Sequence, residues 1–172
     1  MKKVSIILVG MFISTSSVIA QGTLGKGEKQ MNAGLGISTL GIPVYIGADF
    51  GVSENITIGP RISYRKNTEK YFGNTYSQSL TVVSFNGNYH FNQLLKLPEA
   101  WNVYAGATLG YYIWSDVKWN NSSITGFGGE GSGLGFDAQV GARYFFNENL
   151  GINLELGGGT GSGGIVGITY KL

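Results

Sequence analysis

Side chains able to do acid–base or nucleophilic chemistry are sparse in this sequence. His90 is its only histidine. A histidine becomes a general base when a hydroxyl and a carboxylate stand beside it. Ser84 and Asn86 share its strand parity, but no serine or acidic residue lies next to it at motif spacing, so His90 reads as a hydrogen-bonding group. A lone imidazole also makes a poor metal site. Cysteine is absent, which removes thiolate metal sites and any disulfide framework. Gly126-Phe127-Gly128-Gly129-Glu130-Gly131 satisfies GxGxxG. That motif cradles a dinucleotide only between a strand and a helix, and no helical period follows it here. The residues therefore point to no catalytic group, no cofactor and no metal.

Seven charged residues share one property. Asp49, Arg61, Arg65, Asp137, Arg143, Glu155 and Lys171 all fall on the polar phase of a two-residue alternation. Ile56-Thr57-Ile58-Gly59-Pro60-Arg61-Ile62-Ser63-Tyr64-Arg65 shows the rule, and Leu150-Gly151-Ile152-Asn153-Leu154-Glu155-Leu156 repeats it. Such alternation marks strands with one apolar and one polar face. Eight are expected, near 30–39, 42–51, 56–66, 79–91, 101–114, 133–146, 150–157 and 164–172. Compact connections fall at 52–55, 92–100 and 147–149, and a very short one near Leu40-Gly41. Longer ones fall at 67–78, 115–132 and 158–163.

Three sequence segments follow. Residues 1–20 read as a signal peptide: Lys2 and Lys3, an apolar run from Val4 to Ile13, and a small-residue cleavage pattern ending at Ala20. Residues 21–29 form a polar leader, and 30–172 the folded domain. Ten of the 12 basic residues lie beyond the signal, against 10 acidic ones, so the mature chain is neutral and nucleic acid has no electrostatic attraction to it. The polar face is rich in Gly, Ser, Thr and Asn, which is thin cover for a water-facing surface. Aromatic residues gather at strand ends: Phe50, Phe91, Trp101, Tyr144, Phe146 and Tyr170 at one rim, Tyr64, Tyr111 and Phe136 at the other. Together these features predict an all-β, eight-stranded antiparallel up-and-down transmembrane β-barrel with a polar, filled lumen. A soluble barrel with its apolar face inside is the competing arrangement.

The segment Gly167-Ile168-Thr169-Tyr170-Lys171-Leu172 resembles the C-terminal signal of Gram-negative outer-membrane proteins, although Leu172 stands where Phe or Trp is usual. The chain as a whole resembles the small eight-stranded outer-membrane proteins of the OmpX, OmpA-barrel and opacity-protein type. That resemblance implies a monomer in the outer membrane of a Gram-negative cell. Its partners would be membrane lipid, lipopolysaccharide and, during biogenesis, the outer-membrane assembly machinery.

A barrel of eight strands is wide enough only for its own side chains. Asp49, Arg61, Arg65, His90, Asp137, Arg143, Glu155 and Lys171 are accordingly expected to form a lumen polar network, completed by Asn86, Asn88, Asn102, Thr108, Gln139 and Asn153. Within it, Arg143 lies opposite Asn153 and diagonal to Glu155, which suggests an Arg143–Glu155 pair. Candidate contacts with the outside are Tyr71, Phe72 and Tyr76 in one long connection, and Trp119 and Phe127 in another. The expected role is structural or surface-interacting, in the manner of an adhesin, without catalysis and with no ligand specified. A narrow porin-like channel is the alternative, and a lipid-modifying enzyme the third reading.

Overall fold

The computed structural model describes residues 22–38, 41–120, 122–124, 131–161 and 163–172. The expected signal peptide, Phe127 and most of the GxGxxG match lie outside them. Among the described residues ten strands are formed: β1 (Lys29–Ile37), β2 (Val44–Ser53), β3 (Ile56–Tyr71), β4 (Asn74–His90), β5 (Trp101–Trp114), β6 (Val117–Trp119), β7 (Ser122–Ile124), β8 (Gly133–Phe145), β9 (Leu150–Gly159) and β10 (Gly163–Lys171). One short helix, α1 (Asn92–Leu95), interrupts the β4–β5 connection.

Eight of the strands close a ring. Antiparallel pairing runs β1–β2–β3–β4–β5–β8–β9–β10 and returns from β10 to β1. Closure leaves the wall no edge strand, so the wall's backbone groups are satisfied without water.

Strand parity sorts the two faces without exception among representative positions. Leu35, Ile46, Ile62, Phe85, Leu109, Val140, Leu154 and Ile168, one from each ring strand, are 50–60% exposed. Asn32, Asp49, Thr57, Asn86, Asn102, Arg143, Asn153 and Thr169, also one from each, are no more than 4% exposed. The apolar side faces out and the polar side faces the lumen, the reverse of a water-soluble barrel. At one rim the outward aromatics touch in sequence: Tyr89 on Phe91, and Trp101 on Tyr144, which meets Phe146, with ring centroids 5.0–5.6 Å apart.

The connections differ from the sequence expectation in an informative way. The segment 67–78 is not a loop. β3 and β4 continue as a ladder, from Asn67↔Gln78 through Tyr71↔Asn74, around a turn at Phe72 and Gly73. The residues buried here, Ser77 and Gln78, are polar, so apolar alternation disappears while Thr and Tyr still favour extended backbone. Part of 115–132 is likewise a hairpin, β6–β7, which adds to the edge of β4 through Tyr76↔Trp119 and Ser77↔Lys118. β9 and β10 also run further than expected, to Gly159 and from Gly163.

The 21–29 leader is folded from Gly22 onward. Its backbone ties to the ring base: Gly27 N–H donates to the Gly51 carbonyl (2.8 Å) and Gly51 N–H to the Glu28 carbonyl (3.0 Å). Leu24 is 2% exposed there, and Lys29 already belongs to β1.

Candidate functional site

Two ion pairs brace the lumen, each joining strands that stand diametrically opposite in the ring. Asp49 on β2 receives Arg143 Nη2 from β8 at 2.7 Å. The same carboxylate accepts from Gln30 Nε2 (2.9 Å), Asn32 Nδ2 (3.0 Å) and Asn86 Nδ2 (3.0 Å). Arg61 on β3 holds Glu155 on β9 in a fork, at 2.6 and 3.1 Å, and Tyr104 Oη donates to Glu155 at 2.8 Å. Arg143 also lies 4.4 Å above the Tyr104 ring, and Arg61 lies 5.3 Å above that of Tyr45. Buried charge persists only when paired and hydrogen-bonded, and these four groups meet that condition.

The expected Arg143–Glu155 pair is not formed. The register is as anticipated, with Arg143 opposite Asn153, but each long side chain reaches across the lumen instead of along the wall. Neighbouring-strand reasoning finds diagonal partners. It misses contacts across the diameter, which exist only because the sheet closes.

His90 is enclosed near the base. Its Nδ1 lies 2.9 Å from Asn102 Oδ1, and its Nε2 lies 2.9 Å from Thr57 Oγ1. With Asn102 presenting its oxygen, Nδ1 donates to it and Nε2 accepts from the Thr57 hydroxyl. Neither partner is a carboxylate, and the imidazole is 1% exposed. The arrangement orders the ring and offers it no reactant. Lys171, next to the strap formed by Gly22–Glu28, sits 4.4 Å over the Phe145 ring and donates to the Thr23 carbonyl at 3.4 Å.

Arg65 and Asp137 occupy the other half of the lumen. Asp137 accepts from Tyr112 Oη and from Gly161 N–H (2.7 Å), and Arg65 Nη1 donates to Ser38 Oγ at 3.0 Å. Here a cavity of about 90 Å³ opens between Tyr45, Arg61, Arg65, Tyr112, Asp137 and Glu155, room for a few waters. Asn88, Thr108 and Gln139 form a chain beneath it: Thr108 Oγ1 donates to Gln139 Oε1 and Gln139 Nε2 to Asn88 Oδ1, each at 2.9 Å.

Three inward tyrosines were not singled out from the sequence. Tyr104 and Tyr112 lie across glycines of the adjacent β8, and Tyr45 on β2 reaches past β1 to a glycine of β10. A methyl group at Gly141 would come within 2.3 Å of the Tyr104 ring, one at Gly135 within 2.3 Å of Tyr112, and one at Gly167 within 2.5 Å of the Tyr45 hydroxyl. Glycines that look like thin polar cover in the sequence are seats for rings. The usable signal was tyrosine at the polar parity of an otherwise aliphatic strand.

At the hairpin end, Phe72 caps the β3–β4 turn with φ 45° and is fully exposed. Trp119 is 39% exposed, and Tyr76 beside it is half-buried. Tyr71 is the last residue of β3. Asn120 locks the two hairpins together: its N–H donates to the Thr75 carbonyl (2.9 Å), its Oδ1 accepts from Thr75 N–H (2.8 Å), and its Nδ2 donates to Asn74 Oδ1 (2.8 Å). The structure thus brings Tyr76 and Trp119 into one small sheet.

The closed eight-stranded wall with polar lumen defines a fold of the OmpX and OmpA-barrel type. No protein-family model matches the chain, and no curated protein sequence does. Solved structures do. The N-terminal β-barrel domain of Pseudomonas aeruginosa OprF superposes with a TM-score of 0.56 at 14% identity, over 87% of this chain and 100% of that one. A de novo designed transmembrane β-barrel gives 0.57 at 18%, over 87% and 99%. Ail, the attachment invasion locus protein of Yersinia pestis, solved in complex with the heparin analogue sucrose octasulfate, gives 0.51 at 11%, over 86% and 99%. At these identities the likeness is one of fold.

Proposed function

We propose that this chain is an integral outer-membrane barrel with a self-sealed lumen, whose work is done by the hairpins projecting from one end. The inversion of the faces carries this reading. Aliphatic side chains cover the outside of all eight ring strands, while Asp49, Arg61, Arg143 and Glu155 are held inside. Such a surface is stable in hydrocarbon and would aggregate in water. The similar barrels of OprF and Ail support the outer membrane as the location; the end with the compact turns and the strap is assigned to the periplasmic side, because barrels of this kind keep their short turns there. The role is structural or surface-interacting, and Ail, an attachment invasion locus protein solved with a heparin analogue bound, gives such a role a precedent on this fold.

The channel alternative rests on the 90 Å³ cavity. The Arg61–Glu155 brace lines it, and the Asp49–Arg143 brace is a second pair joining opposite strands of the lumen. Refolding into phosphatidylcholine vesicles, followed by planar-bilayer recording, tests both readings. The expected result is a heat-modifiable band on gels and no steady conductance. A protein that stays dispersed in water without detergent would overturn the membrane placement, and a stable open level would overturn the sealed lumen.

A further inference from the structure

The outward face of β3 is graded along its length. From the base it presents Ile56, Ile58, Pro60 and Ile62, then Tyr64, and beyond the ring Lys66, Thr68 and Lys70. This is the order hydrocarbon, interface and headgroup that a bilayer imposes. The neighbouring strands continue the same face. Register sets Lys66 beside Ser79, Thr68 beside Ser77 and Lys70 beside Thr75, and Ser77 in turn beside Lys118 of β6. Three lysines and four hydroxyls from three strands thereby share one face of the projecting sheet. All three lysines are exposed, and among the described residues none is ion-paired. Acidic Glu69 lies on the opposite face, where its Oε1 accepts from Asn67 Nδ2 at 3.1 Å. Asp116 precedes β6.

We infer that Lys66, Lys70 and Lys118 bind the phosphate groups of a phosphorylated outer-leaflet glycolipid, an inference that rests on the membrane placement proposed above. Strand spacings put Lys66 and Lys70 about 13 Å apart, with Lys118 about 10 Å to the side. Their side chains are long enough for the ammonium groups to converge on one phosphorylated headgroup, with the hydroxyls of Thr68, Thr75 and Ser79 completing its shell; Ser77 is buried beneath them. Because the face is the upward continuation of the lipid-facing wall, the lipid's acyl chains would lie against Ile62 and Tyr64 while its phosphates meet the lysines. Exposed ammonium groups near an anionic surface each contribute roughly a fivefold factor in affinity.

The test uses the full chain refolded in phosphatidylcholine vesicles, titrated with fluorescent deep-rough lipopolysaccharide, either intact or dephosphorylated. The wild type is expected to bind the intact lipid, more weakly as salt is raised, and to lose most of that affinity for the dephosphorylated lipid. The K66Q/K70Q/K118Q variant should lose roughly a hundredfold, and K118Q alone about fivefold. K96Q, at the opposite end, should bind as the wild type does. Should the triple variant fail to fold, K118Q and dephosphorylation still decide. Unchanged affinity in these lysine variants, or indifference to dephosphorylation, would overturn the inference. Failure of the wild type to enter phosphatidylcholine vesicles would instead overturn the membrane placement.

Discussion

The Asp49 carboxylate carries the largest share of the lumen's polar satisfaction, with four donors from three strands on its two oxygens. Removing it would leave the Arg143 guanidinium, 2% exposed, without its ion-pair partner. Asp49→Ala is therefore expected to destabilise the barrel by about 3–5 kcal/mol, read as a shift in the urea midpoint of the refolded protein. Asp49→Ala with Arg143→Met should recover much of that loss, because no stranded charge remains. Double-mutant cycles should give strong coupling for Asp49–Arg143 and Arg61–Glu155, and weaker coupling for Arg143–Glu155. The reverse ranking would contradict the cross-lumen pairing. At this scale the sequence shows which side chains turn inward, since parity decides it. Partner choice was hidden, because Asp49 and Arg143 meet only once the ring closes.

Ring packing and strand ends belong to the scale of elements. Tyr104 on β5 lies across Gly141 of β8, its register partner. Gly141→Ala is expected to cost about 1–3 kcal/mol by crowding that ring, measured by the same urea titration. An alanine tolerated without loss would mean that the ring is not seated there. The Gly22–Glu28 strap contributes Leu24, and Leu24→Ala should cost roughly 2–5 kcal/mol if burial at the base is as complete as its 2% exposure indicates. Backbone amides of Asn67 and Glu69, which form the hydrogen-bonded pairs of the ladder with Gln78 and Tyr76, should exchange hydrogen slowly; fast exchange would return 67–78 to a loop. That hairpin was illegible in the sequence because Asn67–Gln78 pairs polar residues with polar residues. Hydrophobic periodicity reports apolar burial, and the residues buried in this hairpin, Ser77 and Gln78, are polar. The strap was illegible for a related reason: one leucine among Gly, Thr, Lys and Glu makes no pattern.

For the molecule as a whole, the two-residue alternation made the closed ring predictable, since eight such strands in one chain have few other ways to satisfy their backbones. Periodicity could not say which face pointed out, and the exposure of Val140, Leu154 and Ile168 against the burial of Gln139, Asn153 and Thr169 resolves it. The complete absence of cysteine makes the matching measurement clean. Single cysteines at Val140, Leu154 and Ile168 would carry nitroxide labels in protein refolded into phosphatidylcholine vesicles, with collision rates read for oxygen, which concentrates in lipid, and for a water-soluble nickel complex. All three labels are expected to collide with oxygen and to be shielded from nickel, while a fourth on exposed Phe72 shows the opposite. Labels at Val140, Leu154 and Ile168 that meet nickel and not oxygen would contradict the account, because the apolar face would then lie away from lipid.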